Sequence, residues 1–246
     1  MQLYFVRHGQ SENNRMWSRT GSSEERVSDP KLTDVGQRQA ALVAEFLASS
    51  YEAPDGRRAT RGWDPQNVAG FPITHCYTSL MERAVATGHE IAEALDLPLQ
   101  SWIDIHETGG MFLEDPETGE RLSKPGLSRT YLEETYPRLV VPESVTDEGW
   151  WNRPFEPESA RQERADGVLE ELLDRHGDTD DGVVFVSHGG FFNHLLRAVL
   201  SIDQPDEEKL WFAANNASVT RIDFVKGRRI VNYVNRVDFL PGDLVT

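Results

Sequence analysis

The chain has 246 residues, of which 38% are hydrophobic and 27% charged, and it is long enough to bury the core of one large domain or two small ones. Its 25 Lys and Arg residues are outnumbered by 41 Asp and Glu residues, and the formal net charge of -16 disfavours nucleic acids and anionic membranes as partners. The single cysteine, Cys76, excludes an internal disulfide and disfavours a thiolate metal site.

The first predicted strand covers residues 2–7 and begins directly after Met1. No charged and apolar leader segment precedes it, and no stretch reaches the roughly 18 consecutive apolar residues that a membrane span needs. We therefore expect a soluble, cytoplasmic protein. The strand ends in Arg7-His8-Gly9, and a loop rich in polar residues follows.

The next segments alternate between helix and strand. Thr33 is expected to cap a helix in which apolar residues recur at helical spacing. Residues 51–71 contain Pro, Gly, Arg and Asp without a period, which predicts a surface insertion. A strand over 73–77 then ends at Thr78-Ser79 and leads into a helix over 81–95.

The second half of the chain begins with a less regular segment. Residues 104–156 mix glycines and prolines with one short helix near 128–136, which predicts an excursion over the carboxyl edge of the sheet. An amphipathic helix is predicted over 156–176. The continuous apolar run 183–186 predicts a parallel strand buried on both faces, and this strand ends in Ser187-His188-Gly189-Gly190.

A helix over 192–200 and a terminal hairpin complete the predicted order. The hairpin pairs 218–225 with 229–234 and turns at Lys226-Gly227. The alternation predicts an α/β fold, a three-layer α/β/α sandwich with a mostly parallel central sheet. We expect a single domain over residues 1–246.

Side chains that suit phosphate chemistry follow three of the predicted strands. Arg7 and His8 end the first, Thr78-Ser79 ends the second with Arg83 in the following helix, and His188 ends the third. Because the carboxyl ends of parallel strands open on one side of a sheet, these side chains should converge. Arginine matches phosphate oxygens with a permanently charged fork, and histidine can attack phosphorus or move a proton near neutral pH.

These motifs resemble those of the histidine phosphatase superfamily, in the branch related to cofactor-dependent phosphoglycerate mutase. They occur in the family's order and extend from residue 3 to about residue 225. The segment from Thr78 to Ala84 is similar to the family's Ser-Ser-x-x-x-Arg-Ala helix start. The residues that carry the resemblance are Arg7-His8-Gly9, Leu32-Thr33 with Gly36, Gln39 and Ala40, Thr78-Ser79 with Arg83-Ala84, and Ser187-His188-Gly189-Gly190.

The resemblance implies a covalent mechanism of phosphoryl transfer. His8 would be the nucleophile and would hold the phosphoryl group as a phosphohistidine. Arg7, Arg83 and His188 would surround the three non-bridging oxygens and neutralise their charge. Glu107 occupies the family's position for the acid that protonates the leaving group and later acts as base on water.

The resemblance also implies further ligands and leaves some assignments open. Glu114 and Glu12 are the alternatives to Glu107, because the family's Glu-x-x-x-Gly-x-x-Glu-Gly pattern is only partly kept. Additional phosphate or substrate ligands would be Asn14, Thr20, Gly21 and Gly189. No cofactor or metal is expected, since the other histidines lack paired metal-ligand spacing: His75, His89, His106, His176 and His194. Of these, His106 beside Glu107 is the one that can reach the pocket.

The leading functional hypothesis is a metal-independent phosphatase that acts on a small phosphorylated metabolite. A phosphoglycerate mutase is the alternative, but the family's mutases usually carry an Arg-His-Tyr-Gly segment where this chain has Thr108-Gly109-Gly110-Met111. A non-catalytic protein that binds phosphorylated ligands is a third. Substrate specificity and a homodimer contact stay open; candidate ligands for a second phosphate or a carboxylate are Arg121, Lys124, Arg129 and Arg153.

Overall fold

The computed structural model of the chain describes residues 1–22, 24–49, 64–202 and 210–246. Its helices are α1 (Glu12–Thr20), α2 (Asp34–Ala48), α3 (Glu82–Leu95), α4 (Arg129–Thr135), α5 (Glu158–His176) and α6 (Gly189–Leu200). Its strands are β1 (Gln2–Arg7), β2 (His75–Thr78), β3 (Leu99–Ser101), β4 (Phe112–Glu114), β5 (Arg121–Ser123), β6 (Leu139–Val140), β7 (Gly182–Ser187), β8 (Val219–Val225) and β9 (Arg228–Arg236).

A seven-stranded sheet in the order β6-β3-β2-β7-β1-β8-β9 forms the middle layer. Its first five strands run parallel, whereas β8 and β9 are antiparallel to their neighbours. Arg7 pairs with Ser187, and Thr78 pairs with Val186. The ends of β1, β2 and β7 therefore lie side by side at one edge of the sheet.

Helices cover both faces of this sheet, which confirms the predicted three-layer α/β fold. Because successive strand residues point to opposite faces, Tyr4 packs on one side in a core with α2 and α3. Phe5 packs on the other side in a core with α5 and α6. Every residue of β7 is buried, as its continuous apolar run predicted.

Two helices differ from the sequence-based expectation. The predicted polar loop after β1 is in fact α1, a helix without a single buried residue, so no apolar period marks it. A capping box between Ser11 and Asn14 begins this helix. Helix α6 begins at Gly189 rather than at residue 192, because its first N–H groups have side-chain acceptors that a glycine pair does not reveal.

The other predictions can be followed in the same structure. The hairpin turns at Lys226 and Gly227, both with positive φ, as predicted. The excursion over 104–156 contains the predicted short helix and, in addition, the two-stranded β4-β5 sheet. The greater part of the predicted insertion at 51–71 lies outside the described residues. Within the described part of the chain, no helix is both long enough and apolar enough to cross a bilayer.

Candidate active site

His8 follows β1 and is only 2% exposed. Its Nδ1 lies 2.7 Å from the carbonyl oxygen of Gly9, and its Nε2 accepts a hydrogen bond from Nε of Arg83 at 3.1 Å. These partners assign the proton to Nδ1 and the free electron pair to Nε2. Burial, and after it the charges of Arg83 and Arg7, hold the pKa of His8 well below its usual value. The ring is therefore neutral at physiological pH.

The loop that carries His8 packs tightly against the start of α2. A Cβ on Gly9 would lie 2.5 Å from the carbonyl oxygen of Gly36, and a Cβ on Gly36 would lie 2.0 Å from that of Gln10. Gln39 accepts the backbone N–H of Gln10 at 2.7 Å. The glycine and glutamine of the predicted α2 motif thus hold the loop of His8 in place.

Arg83 lies in the first turn of α3 and is 8% exposed. Its Nη1 is 3.6 Å from Oδ1 of Asp29, which also accepts the backbone N–H of Glu82 at 3.0 Å. Burial raises the pKa of Asp29 to about 7, although the charge of Arg83 opposes the rise. Sequence reasoning missed Asp29, because no motif marks the loop that precedes α2.

His188 follows β7 and is completely buried. Its ring centroid is 5.1 Å from that of His8, and its Nε2 is 2.9 Å from Oγ of Ser79. Nδ1 is buried and has no hydrogen-bond partner within the described residues. Burial and the charge of Arg83 hold the pKa of His188 well below its usual value. His188 is therefore neutral, and the positive charge of the site comes from arginine.

Arg7 ends β1 with its side chain directed along the start of α6. Its Nη1 donates to the carbonyl oxygen of Ala214 at 2.5 Å, whereas its Nε is buried and has no such partner within the described residues. A Cβ on Gly189 would lie 3.4 Å from that Nε. The backbone of Gly189 is therefore close to the guanidinium of Arg7.

Glu107 occupies the amino end of α6. Its Oε2 accepts the backbone N–H of Gly190 at 3.1 Å, and its Oε1 accepts those of Phe191 at 3.0 Å and Thr108 at 2.8 Å. A Cβ on Gly190 would lie 2.4 Å from Oε1, so the glycine admits the carboxylate. The alternatives Glu12 and Glu114 are exposed and line neither cavity described below. The geometry favours Glu107.

Two adjoining cavities open at this edge of the sheet. The smaller, of about 210 Å³, contains His8, Arg83 and Asn14 in its wall. The larger, of about 490 Å³, is bounded by the excursion and by the segment after residue 210. Arg7, Arg26 and Glu107 line both. A small molecule can therefore place a phosphoryl group in the smaller cavity and the rest of its structure in the larger one.

The remaining predicted ligands lie at the two ends of α1, and only the one near its start lines a cavity. Asn14 lines the smaller cavity, although its Oδ1 also accepts from the backbone N–H of Ser11 at 3.1 Å. Thr20 and Gly21 are exposed and line neither cavity, so no contact in the structure supports the prediction that they are ligands. The nine residues of α1 rise about 13 Å and carry its carboxyl end away from the pocket.

Of the four basic residues predicted in the excursion, only Arg121 lines a cavity. Arg129 donates to two backbone carbonyl groups and to Glu133, and Arg153 pairs with Asp104 at 2.6 Å. Lys124 lines neither cavity. Sequence reasoning missed Arg26 and Arg161, which line the larger cavity but belong to no motif.

Two other histidine environments were not expected. His106 packs edge-on against Trp151 at 4.7 Å and lines neither cavity, and burial lowers its pKa to about 4. At the opposite end of the sheet, His75, His176 and Asp181 place their potential ligand atoms within 4.8 Å of one another. The spacing of these residues along the chain did not predict this cluster. Its imidazoles already have hydrogen-bonding neighbours in Thr74, Tyr77 and Asp181.

The sequence is similar to those of a named phosphatase and a phosphoglycerate mutase. A Schizosaccharomyces pombe protein named "Probable phosphatase" is 27% identical over 241 residues, or 96% of this chain and 70% of that protein. A 2,3-bisphosphoglycerate-dependent phosphoglycerate mutase of Treponema pallidum is 32% identical over 108 residues, which are 44% of this chain and only 32% of the mutase.

The fold itself is found in solved structures. The crystal structure of phosphoserine phosphatase from Entamoeba histolytica in complex with 3-phosphoglyceric acid superposes with a TM-score of 0.57 at 19% identity, covering 98% of this chain and 99% of that one. The family model described as histidine phosphatase superfamily (branch 1) matches residues 3–56 and 53–237. The chain belongs to this superfamily.

Proposed function

We propose that the protein is a phosphoric monoester hydrolase that acts on a small phosphorylated metabolite through a phosphohistidine on His8. One observation carries the proposal: a buried, neutral imidazole presents the electron pair of Nε2 beside the guanidinium of Arg83. An unprotonated ring nitrogen is the reactive form of a histidine nucleophile. The neighbouring guanidinium can exchange its bond to Nε2 for a bond to a phosphoryl oxygen.

The first step forms a bond between Nε2 of His8 and phosphorus while the bond from phosphorus to the leaving oxygen breaks. Arg7 and Arg83 neutralise the charge on the non-bridging oxygens without any requirement for a metal. Glu107, which lines both cavities, gives a proton to the leaving oxygen. In the second step Glu107 takes a proton from water, water attacks phosphorus, and the bond to Nε2 breaks.

His188 has a supporting role in this scheme. Its neutral ring contacts Ser79 and leaves Nδ1 without a partner among the described residues. A phosphoryl dianion beside it would favour the protonated ring, because an opposite charge at close range stabilises the charged form. We propose that His188 gains a proton when substrate binds and then donates a hydrogen bond to a non-bridging oxygen.

Hydrolysis is favoured over mutase activity by the segment after Glu107. Gly109 and Gly110 have positive φ values of 86° and 76°. A Cβ on Gly110 would lie 2.1 Å from the ring of Trp151. The two positions therefore have no room for the bulky residues of the Arg-His-Tyr-Gly segment that the family's mutases usually carry.

The test uses an aryl phosphate as a generic substrate, with EDTA present. We expect hydrolysis by the wild-type protein and none by His8→Ala. Loss of activity on chelation, or survival of activity in His8→Ala, would contradict the mechanism. A second assay supplies 3-phosphoglycerate and a bisphosphoglycerate primer: free phosphate supports the hydrolase, whereas 2-phosphoglycerate supports the mutase. A non-catalytic protein would bind phosphorylated compounds without turnover in either assay.

A further inference from the structure

Two perpendicular phenylalanine rings line the larger cavity. The centroids of Phe112 and Phe155 are 4.7 Å apart, with an interplanar angle of 81°. A Cβ on Gly109 would lie 2.7 Å from an atom of each ring, so only a glycine at this position leaves room for the two rings. The aromatic pair is thus held against the same short segment that carries Glu107.

Arg26 lies over one of these rings. Its guanidinium carbon is 4.4 Å from the centroid of Phe112, and its buried Nε has no hydrogen-bond partner among the described residues. No carboxylate oxygen of the described residues lies within ion-pairing distance of Arg26, although the charges of Glu107 and Glu114 attract it from farther away. Stacking on an aromatic face orients the guanidinium while leaving its N–H groups available.

Arg121 lies over the second ring. Its guanidinium carbon is 4.5 Å from the centroid of Phe155, and its Nε is 3.6 Å from Glu114. Both members of this pair are about half exposed, at 45% and 55%, so water screens their interaction and a stronger ligand can compete. Arg121 is therefore a second oriented cation in the same cavity.

The chain has a net charge of -16, and several of its arginines are paired with acidic side chains. Arg138, Arg153 and Arg164 are each 2.5 to 2.6 Å from a carboxylate oxygen. Arg26 lacks such a partner although acidic residues are abundant. An oriented, unpaired guanidinium beside a substrate cavity is suited to an anion that arrives with the substrate.

We propose that the substrate carries a second anionic group, a carboxylate or another phosphate, and that Arg26 and Arg121 bind it. The proposal rests on the proposed function, because the reacting phosphoryl group is assigned to His8 in the smaller cavity. Arg26 lines both cavities, which places the second anion on the same small molecule as the reacting phosphate. The volume of about 490 Å³ is appropriate for a metabolite rather than a polymer.

The test compares substrates that differ only in the second anion. Phosphoserine and phosphoethanolamine differ by one carboxylate, and fructose 1,6-bisphosphate and fructose 6-phosphate differ by one phosphate. Each pair is assayed with the wild-type protein, Arg26→Gln and Arg121→Gln. Arg153→Gln is the matched control, since Arg153 is about as exposed as Arg121 but pairs with Asp104 outside the cavity.

We expect Arg26→Gln to lower kcat/KM for the doubly anionic member of one pair by about tenfold to a hundredfold, the range for a charge-assisted hydrogen bond. Arg121→Gln should have a smaller effect in the same direction, because Glu114 already competes with the second anion for the guanidinium of Arg121. The loss for the singly anionic member should be clearly smaller than that for its doubly anionic counterpart, and the control should change neither. The pair that responds identifies the second anion as a carboxylate or a phosphate.

If a compound binds without turnover, its inhibition constant against aryl phosphate hydrolysis replaces kcat/KM in the comparison. Equal losses for both members of each pair, or no loss for any compound, would overturn the second-anion site. Aryl phosphatase activity that still depends on His8 would in that case leave the proposed function intact. Activity that survives His8→Ala would instead refute the proposed function itself.

Discussion

Asp29→Asn tests the electrostatic link between the nucleophile site and its surroundings. The carboxyl group is 10% exposed and lies 3.6 Å from Nη1 of Arg83. Burial raises its pKa from 3.8 to about 7, which corresponds to roughly 4 kcal/mol of unfavourable ionisation in the folded state. The asparagine has nearly the same shape, and its Oδ1 can still accept the backbone N–H of Glu82.

The direction of the effect follows from proton binding. Between about pH 4 and pH 7 the folded state retains the proton of Asp29, whereas the unfolded state has already released it. The contribution of Asp29 to stability is therefore present at low pH and is lost as the pH rises through this window. Because asparagine has no proton to release, the variant should become more stable than the wild-type protein as the pH increases.

Urea unfolding of both proteins across this pH range measures the difference. We expect the free energy of unfolding of Asp29→Asn to exceed that of the wild-type protein by up to about 4 kcal/mol above pH 7, and the difference to disappear near pH 4. Asp115→Asn is a control in which the effect should have the opposite direction, with the variant losing stability relative to the wild-type protein as the pH increases. The reason is that hydrogen bonds from the backbone of Thr118 and Glu117 lower the pKa of Asp115. Parallel curves for the wild-type protein and Asp29→Asn would refute the reasoning, as would a carboxyl NMR titration of Asp29 with a midpoint near 4.

Two further predictions concern the segment around Glu107. Glu107→Gln should lower kcat/KM for alkyl phosphates by about a hundredfold or more, because kcat/KM reports the steps up to transfer of the phosphoryl group to His8. The loss of kcat/KM should be much smaller for aryl phosphates, whose leaving group needs no proton. Glu114→Gln is the control, and equal losses of kcat/KM on both substrate classes would argue against the acid role. Gly110→Ala places its Cβ 2.1 Å from the ring of Trp151 and should destabilise the protein by roughly 2 to 4 kcal/mol in urea unfolding. Gly119→Ala, with positive φ but open space around it, should cost only about 1 kcal/mol, and similar losses for the two variants would contradict the packing argument.

Sequence patterns predicted the central sheet because burial imposes a simple signature on its strands. The continuous apolar run of β7 identified a doubly covered strand, and Thr33 identified the start of α2 through its side-chain oxygen. The convergence of His8 and His188 followed from the rule that the ends of parallel strands share an edge. These inferences needed only local patterns and topology.

The surroundings of the site depended on contacts between segments that are remote in the chain. Asp29 approaches Arg83, and Arg26 stacks on Phe112, without any local pattern to predict either contact. Thr20 and Gly21 were predicted as ligands from a segment taken for a loop. This segment ends α1, a helix whose stabilising groups are polar caps rather than a buried face. The proposed second-anion site therefore lies in the part of the structure that sequence reasoning describes least.

The central claim is that the phosphoryl group is held on His8 during turnover. The direct measurement is mass spectrometry of peptides after an alkaline quench, which preserves a phosphorus–nitrogen bond, with an acid quench for comparison. With an aryl phosphate as substrate, we predict one phosphoryl group on the peptide that contains His8 and none in His8→Ala. The phosphorylated peptide should accumulate in Glu107→Gln, because formation of the phosphohistidine then needs no acid whereas water is activated less well. Steady turnover with no phosphoryl group on His8, or with the label on another residue, would contradict the account.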